Sequence, residues 1–67
     1  MTPHKRALTK SIILMGIALA DDEATLMVFY HKMRRLIAAL GQEDRAEIRA
    51  TFDRRMDHLR APERRAA

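Results

Sequence analysis

From Leu8 to Leu40 the chain places residues of one kind at intervals of four and three. Leu8, Ile12, Met15, Leu19, Leu26, Phe29, Met33, Leu36 and Leu40 keep the spacing, and the one polar member of the series is Asp22. A seam of this kind belongs to α-helices, in which residues three and four apart share a face. It leaves two topologies open. One helix can run from Pro3 to Leu40, or the chain can break at Asp21-Asp22. Two adjacent aspartates are poor helix-interior residues, and either can cap a new helix with Glu23 in its first turn. The break is therefore expected, with the continuous helix as the alternative.

The flanking segments read as helices too. Thr2 followed by Pro3 suits a cap and a first helical position. At 100° per residue, Leu26, Phe29, Tyr30, Met33, Leu36, Ile37 and Leu40 fall within an arc of about 120°, the mark of a helix with one buried face. Gly41 then reads as the residue after that helix, where a left-handed conformation is expected. A third helix begins near Glu43 and Asp44, acids suited to an N-terminus. Its narrow seam is Ile48, Phe52, Met56 and Leu59, supported by Arg49–Asp53 and Asp57–Arg60 pairs. It is expected to stop before Pro62, giving one domain over residues 1–61 and a frayed tail over 62–67. The first segment differs, because Ile12–Ile17 and Ala18–Ala20, Gly16 apart, are apolar around the whole circumference. Such a helix is buried on several sides, by its own chain or by a second copy. Its isoleucines also permit a short strand.

Composition narrows the fold class. A chain of 67 residues holds one small domain and a core that supplies only a few kcal/mol, about 3–5 for a domain of this size. Cysteine is absent, so disulfides, thiolate metal sites and thiol nucleophiles are excluded together. With two glycines and two prolines, the composition is neither disordered nor turn-rich. The expected fold is all-α, a small helical hairpin or three-helix domain that completes its core as a homodimeric helical bundle. The first segment imitates a secretory signal, with Lys5, Arg6 and Lys10 before an apolar run and Ala18-Leu19-Ala20 as an A-x-A site. The run is at the short limit for a signal and half of a membrane span. A cytoplasmic protein is expected, with a periplasmic one as the minority reading.

The formal charge is +4, and its placement matters more than its sum. Residues 1–20 carry Lys5, Arg6 and Lys10 without an acid, whereas the arginines beyond residue 40 are interleaved with acids. A turn at Asp21 would bring Lys5, Arg6 and Lys10 beside Lys32, Arg34 and Arg35 as an anion-binding patch. In a continuous helix these groups would lie roughly 38 Å apart.

Catalytic chemistry finds no foothold in the pattern. His4, His31 and His58 show no metal-helix spacing, the hydroxyl residues fit no nucleophile motif, and Gly16 and Gly41 stand too far apart for a phosphate loop. No enzyme, cofactor, metal or small-molecule substrate is expected. Five methionines are many for this length, and Met27 with Val28 lies off the main seam, which suggests a second buried surface. Methionine adapts to varied partners. The function expected is a small regulatory or adaptor protein of the inhibitor or antiactivator type, which binds itself and another protein. Its contact residues would be Ile13, Ile17, Met27 and Val28, with Arg34 and Arg35 on the rim. The alternative is a basic dimer that binds nucleic acid through Lys5, Arg6, Lys10, Lys32, Arg34 and Arg35.

Overall fold

Thr2 opens the first helix as expected: its Oγ1 accepts a hydrogen bond from the Lys5 amide at 3.2 Å, and Pro3 takes the first helical position. The computed structural model describes the backbone of residues 2–66 and the side chains of residues 2–60. Three helices follow in order, α1 (Pro3–Leu19), α2 (Glu23–Ala38) and α3 (Gln42–Ala66). All three pairs of helices are in contact. No strand occurs among the described residues, so the all-α class holds and the minority strand over the isoleucines does not form.

The chain breaks where two aspartates meet. Ala20 is extended, and Asp22 is the N-cap of α2, its Oδ1 accepting from the Thr25 amide at 2.7 Å. Glu23 stands in the first turn beside the positive end of the helix. The continuous helix is thereby overturned: a carboxylate that satisfies an otherwise unpaired amide favours a helix start over a helix interior. The same hydrogen bond holds the Asp22 pKa below the ordinary carboxylate value. A depressed folded-state pKa stabilises above the unfolded value, and that contribution disappears as pH falls through the folded value. Asp22→Ala should therefore lower the thermal midpoint at neutral pH. The gap from the parent should close in acid, below the pKa of about 3.9 of an unfolded aspartate, in melts followed by circular dichroism.

The second turn departs from expectation. Among the described residues no glycine has a positive φ, so Gly41 is not a left-handed cap. Arg45 ends α2 instead. Its guanidinium reaches back from the first turn of α3 to the carbonyls of Ala38 at 3.2 Å and Leu40 at 3.1 Å, supplying donors to acceptors that the helix leaves open. A Cβ at Gly41 would meet nothing within 4 Å. Gly41→Ala is therefore expected to leave stability unchanged or raise it by about 0.5 kcal/mol, through a less flexible unfolded chain. A urea titration checks this.

Helix α3 carries its expected acids, Glu43 and Asp44, in the first turn, but its span continues past Pro62. A proline costs a helix one backbone donor and crowds the preceding turn, and sequence alone overweights that local penalty as a stop. The tail expected over 62–67 falls outside the residues whose side chains are described.

The direction of each helix follows from its contacts. Lys10 of α1 pairs with Asp44 at 3.5 Å and Glu47 at 3.2 Å, while Arg55 donates to the Ala20 carbonyl at 2.7 and 3.2 Å. Helices α1 and α3 thus run in the same direction, with α2 antiparallel to both. Arg60 reaches Glu23 at 3.1 Å and joins α3 to the start of α2. The core is Ile13, Ile17 and Ala20 from α1, Leu26, Ile37 and Leu40 from α2, and Ile48, Phe52 and Met56 from α3. Leu14, Phe29, Tyr30, Met33 and Leu59 pack against it. The seams expected for α2 and α3 are therefore the buried ones, with Leu36 left exposed.

Candidate protein-docking surface

Helix α1 has apolar residues on every side, and the bundle uses only one of them. Ile13 and Ile17 are 1% and 0% exposed, whereas Ile12 and Leu19 are 63% and 70% exposed. Two neighbours orient the helix. On one flank of the Ile13–Ile17 face, Lys10 points at the acids of α3. On the other, Gly16 lies against Phe29 so closely that an added Cβ would collide with the tip of the Phe29 ring. This contact requires a residue without a side chain.

What faces outward is the first half of the four-three seam. Leu8, Ile12, Met15 and Leu19 are all at least half exposed and lie within an arc of about 60° at helical spacing. The arc borders the flank of α1 that meets α2. Half-buried Phe29 of α2 meets α1 at Gly16, and exposed Leu36, seven residues on, shares its side of α2 at helical spacing. Val28 is exposed nearby and lines a shallow depression with Ala24, Thr25, Phe29 and Lys32. Together these side chains leave a large exposed apolar area on α1 and α2.

A second groove runs between α2 and α3, lined by Met27, Tyr30, His31, Arg34, Arg49 and Phe52. The Tyr30 and Phe52 rings meet at 4.4 Å with a 52° tilt. The Arg49 guanidinium stands 5.6 Å from the centre of the Phe52 ring and pairs with Asp53 at 3.3 Å. The neighbouring Tyr30 hydroxyl and the Asp53 charge both favour the charged form of Arg49. The aromatics here are packing partners with one edge at the surface.

The residues expected at a contact surface are divided by the fold. Ile13 and Ile17 lie in the core and offer nothing to a partner, because α3 covers the face that sequence leaves open. Met27, Val28, Arg34 and Arg35 are exposed as expected. Leu8, Ile12, Met15, Leu19 and Leu36 take the place of the two isoleucines; their spacing was visible, but their outward direction was not. The six cations expected as a patch do not share one environment. Lys10 is held by Asp44 and Glu47, and these contacts raise its pKa. Arg34 lines the α2–α3 groove, and Lys32 lines the depression beside Phe29. Arg6 lies near Gly41 and Asp44 at the start of α3. The turn at Asp21 is present, yet helix rotation spreads the charges.

Among the described residues, no group of three or more His, Asp or Glu side chains is placed to hold a metal ion. No helix there is long and apolar enough to cross a membrane. The class that fold and surface define is a three-helix, up-down-up chain with an unpartnered apolar face on α1 and α2. No protein-family model, curated protein or solved structure matches this chain.

Proposed function

We propose that this chain is a small, non-enzymatic regulatory or adaptor protein of the cytoplasm that acts by binding another protein through its helical apolar surfaces, and that it forms a homodimer. The observation that carries this reading is the distribution of exposed large hydrophobic side chains. Leu8, Ile12, Met15, Leu19, Met27, Val28 and Leu36 all lie on α1 and α2, although nine other side chains form a well-buried core. A chain that can bury Ile17 and Ile48 completely, yet leaves Ile12 and Leu19 in water, fits one that uses the second set elsewhere. Met27 and Val28, with Arg34 and Arg35 on the rim, are assigned to the other protein, as an inhibitor or antiactivator would engage its target.

A pull-down from the host lysate tests this, using the parent chain and Met27→Glu/Val28→Glu with and without nuclease. A partner retained by the parent in both lysates and lost by the variant is the expected result. A second reading, as a basic nucleic-acid-binding dimer, draws on Lys5, Arg6, Lys32, Arg34 and Arg35, which are exposed and hold no ion pair among the described residues. Binding to phosphates weakens steeply with salt, whereas an apolar interface barely responds. Partner affinity is therefore expected to change less than about threefold between 50 and 200 mM salt, against the 10³–10⁵ loss of a protein with several phosphate contacts. A steep loss, abolished by Arg34→Ala/Arg35→Ala, would transfer the function to nucleic acid.

A further inference from the structure

We infer that the occupant of the α1 face is a second copy of this chain, with the two α1 helices antiparallel. The inference rests on reading the apolar face as a protein-binding surface and names its partner. The first support is the seam itself. Leu8, Ile12, Met15 and Leu19 follow the spacing by which one helix packs along another, and no charged residue lies among them between positions 11 and 19. Exposed Ser11 and Ala18 flank the stripe, and small residues there let two helices approach closely. A patch of this kind is self-complementary, as a two-fold interface requires.

Charge supplies the direction. Lys5 and Arg6 precede the stripe, and Asp21 and Asp22 follow it. In an antiparallel pair with Ile12 facing Met15 and Leu8 facing Leu19, Lys5 of one copy lies level with the Asp21-Asp22 pair of the other. A parallel pair would set lysine against lysine and aspartate against aspartate, which costs affinity and selects against that arrangement. Lys5 and Asp21 are both exposed and hold no ion pair within their own chain among the described residues.

The area is also sufficient. The four α1 residues with flanking Ser11 and Ala18, Leu36 and the exposed edge of Phe29 offer roughly 600 Å² per chain, which brings the pair to the ~1,200 Å² total at the lower end of stable interfaces. Two α1–α2 hairpins meeting on this face would form a four-helix core with α3 on the outside of each copy. That arrangement gives a short chain the additional apolar burial its size calls for.

The absence of cysteine from the sequence makes the direction measurable. Leu8→Cys and Leu19→Cys chains are mixed in equal amounts and oxidised, and the disulfides are identified by mass. An antiparallel pair gives mainly the mixed 8–19 species, whereas 8–8 and 19–19 species in excess would overturn the inference. By sedimentation equilibrium the parent should be a dimer, and Ile12→Glu should raise its dissociation constant at least about 100-fold with unchanged helical circular dichroism. Lys5→Glu should weaken the dimer about tenfold, and adding Asp21→Lys should restore it. A parent that stays monomeric at roughly millimolar concentration, or an Ile12→Glu chain that stays dimeric, would also overturn it. The proposed hetero-partner is judged separately, because Met27→Glu/Val28→Glu should keep the dimer while losing that partner.

Discussion

Ile17→Ala is expected to lower the unfolding free energy by about 2–4 kcal/mol, the range for a fully buried aliphatic side chain cut back to alanine. Ile17 is completely buried and belongs to a core that draws on all three helices. A domain of this size holds only about 3–5 kcal/mol from such a core, so the variant should be substantially unfolded at 25 °C. The control is Ile12→Ala, five positions away on the same helix and 63% exposed. Measured at a concentration low enough to keep the chain monomeric, it should fall within about 0.5 kcal/mol of the parent. Urea titrations of the two variants distinguish the buried face of α1 from its free face. Equal losses would mean that the rotation of α1 in the bundle has been misassigned.

Gly16→Val should produce the second large effect, a loss of about 1–3 kcal/mol from overpacking. The new side chain would occupy the space of the Phe29 ring, so either the ring leaves its place or α1 and α2 move apart. Either outcome weakens the contact that joins two of the three helices. Valine is a better helix former than glycine, which offsets a few tenths of a kcal/mol of this loss, and that gain can be measured separately by comparing Ala18→Val with Ala18→Gly at an exposed position of the same helix. Phe29→Leu should recover part of the loss, since a smaller ring-free side chain gives way to the valine. A non-additive double-mutant cycle is the expected signature of direct contact. A fully additive cycle would remove the Gly16–Phe29 contact from the account.

Much of the fold was legible because α2 and α3 are amphipathic. Leu26, Ile37 and Leu40 are buried as their arc implies, and Ile48, Phe52 and Met56 follow their narrow seam. The cap at Asp22 was legible for a local reason: a short carboxylate satisfies a nearby amide without help from distant residues. Gly41 was misjudged for the opposite reason. The group that ends α2 is Arg45, which lies beyond the turn, and no local rule about glycine registers an arginine reaching back. The expected cationic patch failed on rotation. Proximity along two antiparallel helices was correctly anticipated, but Lys10 turns to the acids of α3 and Arg34 to the α2–α3 groove.

The exposed apolar face was half legible. The spacing of Leu8, Ile12, Met15 and Leu19 stands in the sequence, as does the excess of apolar residues over what one small core consumes. Ile13 and Ile17 were assigned to the surface from the same run and belong to the interior. Sequence alone determined the helical segments and the inward faces of α2 and α3, and it favoured a break at Asp21-Asp22, because local hydrogen bonding and helical period define those features. The inward face of α1 was decided only by the tertiary structure. A helix that is apolar all round has no preferred face of its own, so its rotation was set by the fit of Gly16 to Phe29 and by the pairing of Lys10 with Asp44 and Glu47. That rotation buries Ile13 and Ile17 and leaves the other stripe exposed.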